Sequence, residues 1–338
     1  MKRHTLPVRR VRTLLSKARR SRILVIGDVM LDQFIWGHVG RISPEAPVPV
    51  VEFRDESFMP GGAANVAHNL AALGVQSSFI GVVGRDEAAA TLRRLLKEQR
   101  VDCHGLLTLN DRPTSIKTRI IAHQQQVVRV DREPRVPLGG KVTRRLLTGL
   151  RQSLKGADAV IVGDYGKGVV SQHLLNGLRI HCREQGIWLS LDPKPVHALD
   201  LTGLSLITPN RKEAFELAGL PETPRTLDPL KDTPLLRATE QLLERHQPAL
   251  LLVTLGEQGM LLCRRGHPPF HIPTLSQEVF DVSGAGDTVI ASFTLAIAAG
   301  ASPMEAAILS NHAAGIVVGK IGTAIVHPRE LLESFHHD

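Results

Sequence analysis

Near the end of the chain, Asp281-Val282-Ser283-Gly284-Ala285-Gly286-Asp287-Thr288 runs straight into a mostly apolar stretch over 289–299. Two glycines and an alanine leave the backbone bare where a helix begins. The N–H groups and the positive end of the helix dipole then point at one spot, which suits an anion. Asp287 falls in the first helical turn, beside that spot. A carboxylate placed there can take a proton from a hydroxyl while the N–H groups stabilise a transferring phosphoryl group. The pattern describes phosphoryl transfer to an alcohol, although a glycine-rich turn with a capping Asp would read the same.

Other stretches offer complementary chemistry. In Pro60-Gly61-Gly62-Ala63-Ala64-Asn65, small residues let a ligand approach the backbone, and Asn65 presents a donor and an acceptor to hydroxyls. A polar residue after an ordinary glycine turn fits the same letters. In Thr208-Pro209-Asn210-Arg211-Lys212-Glu213, an amide and a carboxylate three residues apart share one face of a helix start. They could organise magnesium-bound waters, or they could be a plain capping box. Val253-Thr254-Leu255-Gly256-Glu257-Gln258-Gly259 reads as strand, tight turn and strand: a nucleotide-pocket wall, or just a hairpin.

The elements that must position these residues follow from periodicity. Apolar runs of strand length at 22–27, 75–83, 159–162, 187–191, 204–207 and 250–253 alternate with helical patterns. The helices are expected at 63–73, 87–99, 142–154, 172–185, 211–217 and 237–246. Such alternation predicts an α/β fold with a mostly parallel sheet covered on both faces, with ligands at the carboxyl ends of the strands. Asp28, Asp164, Asp192 and Asn210 each follow a strand run, so they should gather on one edge. The segments 33–54 and 115–131 break the alternation and read as pairs of β-strands, a small sheet that projects as a lid or joins two subunits.

Composition narrows the classes. The chain has 338 residues, 43% of them hydrophobic and only 4% aromatic, enough for a large core but poor in stacking surface for single-stranded nucleic acid. Its net charge of +8 is concentrated at the N-terminus, where residues 1–22 hold Lys2, Arg3, Arg9, Arg10, Arg12, Lys17, Arg19, Arg20 and Arg22 and no acid. The remainder is nearly neutral, so 1–21 reads as a basic extension, solvated, helical or frayed, ahead of one domain over 22–338. A nucleic-acid arm or a transit peptide is the sharper alternative. No run reaches membrane-span length, and the three cysteines fit neither a disulfide framework nor a zinc site, which suits a reducing, cytoplasmic setting.

Taken in order, these residues resemble the ribokinase-like sugar kinases, the PfkB family, over nearly the whole chain from about Ile23. Gly61-Gly62-x-x-Asn65 resembles the family's N-terminal signature, and 281–287 its C-terminal one, with Ser283 where Thr is more usual. The resemblance implies ATP as co-substrate, Asp287 as catalytic base, and Gly284, Ala285 and Gly286 as the anion hole. It also puts Asn210 and Glu213 on the magnesium–ATP side, Glu213 meeting the metal through water, and Thr254, Gly256 and Asn311 near the nucleotide. Val25 to Asp32, Arg41 to Val50, Gly163-Asp164-Tyr165-Gly166-Lys167-Gly168 and Asp192-Pro193-Lys194 are similar to the heptose 7-phosphate kinases of lipopolysaccharide synthesis. That implies phosphorylation of D-glycero-D-manno-heptose 7-phosphate at the anomeric hydroxyl, with the adenylyltransferase often fused to such kinases on another polypeptide. Asp28, Asn65, Asp164 and Asp192 are then expected at sugar hydroxyls, and Lys117, Arg119, Arg129, Lys167 and Lys194 near the sugar's phosphate, the last two most of all. A kinase of another sugar or a nucleoside, or a non-catalytic sugar-binding protein, stays open.

Overall fold

The computed structural model describes residues 5–123, 125–134, 136–196, 198–275 and 279–336. Among them, in chain order, lie α1 (Val8–Ala18), β1 (Arg22–Gly27), β2 (Val29–Ile42), β3 (Pro49–Gly62), α2 (Ala63–Ala72), β4 (Gln76–Gly84), α3 (Glu87–Glu98) and β5 (Asp102–Leu109). Then come β6 (Ser115–Ala122), β7 (Gln125–Arg132), α4 (Gly140–Ser153), β8 (Ala159–Gly163), α5 (Gln172–Gln185), β9 (Trp188–Asp192), β10 (Leu206–Ile207), α6 (Arg211–Ala218) and α7 (Thr233–His246). The chain finishes with β11 (Leu250–Thr254), β12 (Met260–Cys263), β13 (Phe270–Ile272), α8 (Ala285–Ala298), α9 (Pro303–Val317) and α10 (Pro328–Ser334). Among the described residues the main sheet has nine strands in the order β13-β12-β11-β10-β9-β8-β1-β4-β5, parallel except for the β12 and β13 edge.

Strand alternation splits the core in two. Ile23 and Val25 of β1 point into one hydrophobic layer with α1, α2, α3, α8, α9 and α10. Leu24 and Ile26 point into the other, under α4, α5, α6 and α7. Strands buried on both faces need apolar residues at every position, which is why β1 and β8 read as unbroken apolar runs. Helix α8 is buried along Asp287–Ala296, so packing holds it from Asp287 onward, while Gly286 just before is exposed toward the cavity.

A four-stranded sheet, β3-β2-β6-β7, projects from this body. It is longer than the expected segments. β2 starts directly after Asp28, and β3 runs on through Arg54-Asp55-Glu56-Ser57 to Gly62. Its charged middle hid the strand, since one face is solvated. Gly61 and Gly62 therefore end a strand that passes into α2 without an intervening turn. Register places Asp32, Phe34, Lys117, Arg119, Arg129 and Asp131 on one face of this sheet. Gln33, Ile35, Thr118, Ile120, Val128 and Val130 lie on the other. Residue 124, inside the second expected segment, lies outside the described residues.

The N-terminal segment is helical, one of the expected alternatives, but it is docked on the domain rather than a solvated extension ahead of it. Residues 1–4, with Lys2 and Arg3, lie outside the described residues, but α1 buries Val11, Leu14, Leu15 and Ala18 in the core. Its basic residues sit on the outer face, where Arg10 pairs with Glu305 of α9 at 2.6 Å. The apolar spacing 11, 14, 15, 18 is an amphipathic stripe that the density of positive charge obscured. Leu14 is fully buried, so Leu14→Ala is expected to cost about 2–5 kcal/mol. Urea unfolding checks this; a midpoint unchanged from wild type would mean the helix is not docked.

Candidate active site

Both sheets contribute to a cavity of about 240 Å³ at the carboxyl ends of the parallel strands. Met30, Asp32, Lys117 and Arg119 enter from the small sheet, with Gly62 where β3 meets α2. Tyr165, Asp192, Thr208 and Thr254 come from the main strand ends, Asn210 and Glu213 from the start of α6, and Ser283, Gly284, Gly286 and Asp287 from the start of α8. Thr323 closes the ring.

Asp287 is the best-held group in it. The residue is 6% exposed. Asn65 Nδ2 donates to Oδ2 at 2.7 Å, and the Tyr165 hydroxyl donates to Oδ1. The Asn65 amide is itself oriented: Asn69 Nδ2 donates to Asn65 Oδ1 at 3.1 Å, and the Thr288 hydroxyl donates to Asn69 Oδ1 at 3.0 Å. Since Asn65 Oδ1 already accepts, the amide presents its donor to Asp287. Burial pushes the Asp287 carboxyl up to about 6, opposed by the bonds from Tyr165 and Asn65 and by Lys117, and reinforced by Asp32. A buried acid in this range accepts a proton readily near neutral pH.

The helix start is shaped by Gly284, the N-cap of α8, in the left-handed conformation at φ 77°. A side chain there would be strained, and its Cβ would stand 2.6 Å from Asn65 Nδ2. Of the expected anion hole, the Ala285 N–H donates to Val282 O at 3.2 Å, while Gly284 and Gly286 line the cavity. Asp281 ties the loop down, accepting from Ser283 N at 2.8 Å and Gly322 N at 3.0 Å.

The other expected site residues divide. Lys117, Arg119, Gly62, Asp192, Asn210, Glu213 and Thr254 reach the cavity. Arg119 Nη1 sits 2.6 Å from Asp32 Oδ1, both largely buried. Burial lowers the Lys117 ammonium, against the pull of Asp131 and Asp32. Burial also pushes the Asp192 carboxyl well up, helped by Glu213 and Asp287, and the Thr208 hydroxyl donates to it at 3.1 Å. Asn210 and Glu213 do form the capping box: Asn210 Oδ1 accepts from Glu213 N and Glu213 Oε2 from Asn210 N, both at 3.0 Å. Lys194 Nζ donates to Glu213 Oε1 at 2.9 Å.

Several residues expected at the ligand have other partners. Asp28 is fully buried, and its carboxylate accepts from the backbone N–H groups of Tyr165, Lys167 and Val169 at 3.0, 2.9 and 2.9 Å. Asp164 Oδ1 accepts from Gly166 N at 2.9 Å. Both shape the loop after β8 rather than a hydroxyl site. Gly61 packs against Asp32 and Met30. Lys167 pairs with Glu133 and, with Lys194, borders a second cavity of about 630 Å³ on the far side of Tyr165. Gly256 opens the turn after β11 at φ 63°. Arg129 pairs with Asp131 at 2.8 Å. Asn311, buried in α9, donates to Pro273 O at 2.9 Å, outside the cavity. Sequence reasoning missed Asp32, Met30, Tyr165, Thr208 and Thr323. Asp32 was within reach, since it alternates with Phe34 on a strand; Tyr165 needed the loop that Asp28 folds.

Comparison with known proteins agrees with this geometry. The family model described as pfkB family carbohydrate kinase matches residues 20–329. The chain belongs to that family. This carbohydrate kinase is similar to the bifunctional protein HldE of Geobacter metallireducens, 42% identical over 330 residues, 97% of this chain and 66% of that protein. HldE of Caulobacter vibrioides is 45% identical over 309 residues, 91% of this chain and 62% of the relative. The kinase thus spans about two thirds or less of the length of these relatives. In fold it is similar to Escherichia coli phosphofructokinase-2, with TM-score 0.76 and 21% identity over 94% of this chain and 99% of that one. The ribokinase of Arabidopsis thaliana solved with ribose and ATP gives TM-score 0.69 and 18% identity over 93% and 98%.

Asp287→Asn is expected to lower turnover by about 10²–10⁴-fold in an ADP-release assay. If Asp287 accepts the proton, wild-type activity should fall as pH drops through about 6, where its carboxylate becomes protonated. The folded carboxyl lies above its ordinary 3.8. Its contribution to stability is therefore fully present below that value and lost as pH rises through about 6. Removing the charge should leave the Tm at pH 8 no lower than wild type. A clear fall in Tm would make Asp287 chiefly structural.

Proposed function

We propose that this kinase transfers the γ-phosphoryl group of ATP to the anomeric hydroxyl of D-glycero-D-manno-heptose 7-phosphate, giving the 1,7-bisphosphate. The observation that carries the reading is the pairing, in one cavity, of the buried Asp287 with two cationic side chains, Lys117 and Arg119, from neighbouring same-face positions of β6. A phosphorylated acceptor needs cations away from the proton acceptor, and the small sheet supplies them. The motifs at 25–32, 41–50, 163–168 and 192–194 and the identity to the HldE proteins support the heptose acceptor over other sugars.

The chemistry is mostly positioning and charge stabilisation. Asp287 takes the proton of the sugar hydroxyl as its oxygen bonds to the γ-phosphorus and the bond to the β–γ bridging oxygen breaks. The helix start at Gly284–Gly286 faces the charge on the moving group. Thr254, Asn210 and Gly256 border the nucleotide side. Asp192 stands with Glu213 and Asp287 at the same cavity, its carboxyl pushed up by burial and then by those two neighbours. Among the described residues no three carboxylate, histidine or cysteine groups converge to hold a bare ion. A magnesium ion therefore fits as one carried by the nucleotide phosphates, with Glu213 reaching it through water; bound there, it would offset phosphate charge. Among the described residues no helix is long and apolar enough to cross a membrane; a cytoplasmic setting follows from the substrates proposed.

A panel of phosphorylated and unphosphorylated sugars in the ADP-release assay tests the acceptor. Heptose 7-phosphate should give the highest kcat/KM, and Lys117→Ala should raise its KM several-fold while leaving that of ATP near wild type. Equal turnover of unphosphorylated heptose, or a loss confined to ATP, would overturn the phosphorylated acceptor.

The outer face of the small sheet bears on assembly. Val128 and Val130 are exposed there, and Ile42 and Phe53 are exposed along the same sheet. Contiguous apolar strand surface of this kind is normally covered. The small sheet is expected to join two copies into a homodimer. Light scattering at micromolar concentration checks this, with Val128→Lys plus Val130→Lys shifting the mass to a monomer; a wild-type monomer would refute it.

A further inference from the structure

We propose that Tyr165 is a positioning residue for phosphoryl transfer: its phenol holds the Asp287 carboxylate in the orientation and charge state from which that carboxylate takes the sugar's proton. The inference rests on the assignment of Asp287 as base. Tyr165 and Asn65 approach from different elements and engage the two carboxylate oxygens separately. A carboxylate with one donor can swing about its Cβ–Cγ bond; one gripped at both oxygens presents its remaining lone pairs in a fixed direction.

The grip is imposed from behind. Tyr165 is half-buried and its ring packs on the core layer that contains α8. Its own backbone N–H is held by Asp28, which also holds Lys167 and Val169. The loop therefore fixes where the phenol stands before Asp287 is considered. Gly62 and Gly163 leave room for the ring: a Cβ on Gly163 would stand 3.0 Å from Tyr165 Cε2, and one on Gly62 3.4 Å from Cδ2.

The charge state follows from the surroundings. Burial most of all, then Asp32 of β2 and Asp192 at the end of β9, favour the neutral acid; the donors Tyr165 and Asn65 and, more weakly, Lys117 of β6 favour the carboxylate, while Arg119 is paired with Asp32. A donor stabilises the ionised form. Removing the phenol should thus raise the Asp287 carboxyl further. Tyr165 reciprocates, its phenol being held well above the ordinary range by burial and then by Asp287 and Asp192.

The chain contains a single tyrosine, so biosynthetic replacement with monofluorotyrosine alters this residue alone and keeps its shape. The full-length kinase is assayed for kcat/KM against pH with ATP and heptose 7-phosphate. Tyr165→Phe is expected to move the acid limb up by about one pH unit and, because the carboxylate is then gripped at one oxygen only, to lower the plateau above the limb about ten-fold. Fluorotyrosine, a more acidic phenol and stronger donor, should move the limb down. Tyrosinate absorbance gives a readout without turnover: the phenol should ionise at lower pH in Asp287→Asn than in wild type. If both substitutions leave the limb in place, or move it the same way, Tyr165 is only packing and the proposal fails. Should Tyr165→Phe not fold, the fluorotyrosine protein decides by the same criterion. An inactive Asp287→Asn with an unmoved limb overturns the role of Tyr165 alone; a fully active Asp287→Asn overturns the base assignment itself.

Discussion

The buried carboxylate of Asp28 is the constraint on which the site hangs. An unpaired charge at full burial would cost several kcal/mol. Three backbone N–H groups, each worth about 1.5–3 kcal/mol to a charged acceptor, bring a compensation of the same order. All three come from the loop after β8, at Tyr165, Lys167 and Val169. The Asp28 main chain adds two bonds, donating to Gly163 O at 3.1 Å and accepting from Ala63 N at 3.0 Å. One residue thus joins the end of β1, the end of β8 and the start of α2. From α2 comes Asn65 and from the loop comes Tyr165, the two donors on Asp287.

Around that joint the two sheets divide the labour by strand alternation. The main sheet, apolar on both faces, fixes backbone positions and brings Asp192, Asn210 and Thr254 to one edge. The small sheet is half solvated and can carry charge. Its inner face presents Asp32, Lys117 and Arg119 to the cavity, its outer face aliphatic residues. A one-residue slip of β6 against β2 would exchange these faces. The long β2–β3 ribbon, anchored next to Asp28 at one end and Gly62 at the other, protects the register.

The helix start at Gly284 is carried by a deeply buried helix. Helix α8 is buried from Asp287 to Ala296 and packs against α2, α9 and the core face that α1 also covers. The docked N-terminal helix therefore belongs to the layer that holds α8 and Asp287, and its cations face outward because its apolar stripe is already buried. Asp287 is raised by burial and restrained by its donors, so its proton affinity is set by the same packing that positions it.

The sequence by itself determined the α/β alternation, the helix start with Asp287, the small residues at Gly61–Gly62 and the Asn210–Glu213 cap. Each is a local pattern whose physics acts within a few residues: apolar periodicity, backbone exposure at glycine, an i, i+3 pairing. It also held the lid segments, though not their full length, since a charged strand face carries no apolar signal. Only the tertiary structure decided which polar residues face a ligand and which brace the chain. Asp28, Asp164 and Asn65 look alike in sequence to Asp192, yet the first three turn to backbone N–H groups or to Asp287, and Asp192 reaches the cavity. Lys167 is drawn aside by Glu133 and Lys194 is held by Glu213, while Lys117 and Arg119 enter the same cavity as Asp287 from about 170 positions earlier in the chain. Tyr165 meets Asp287 across 122 residues. Such meetings are fixed by topology and by competition among partners, and neither is written in the neighbouring letters.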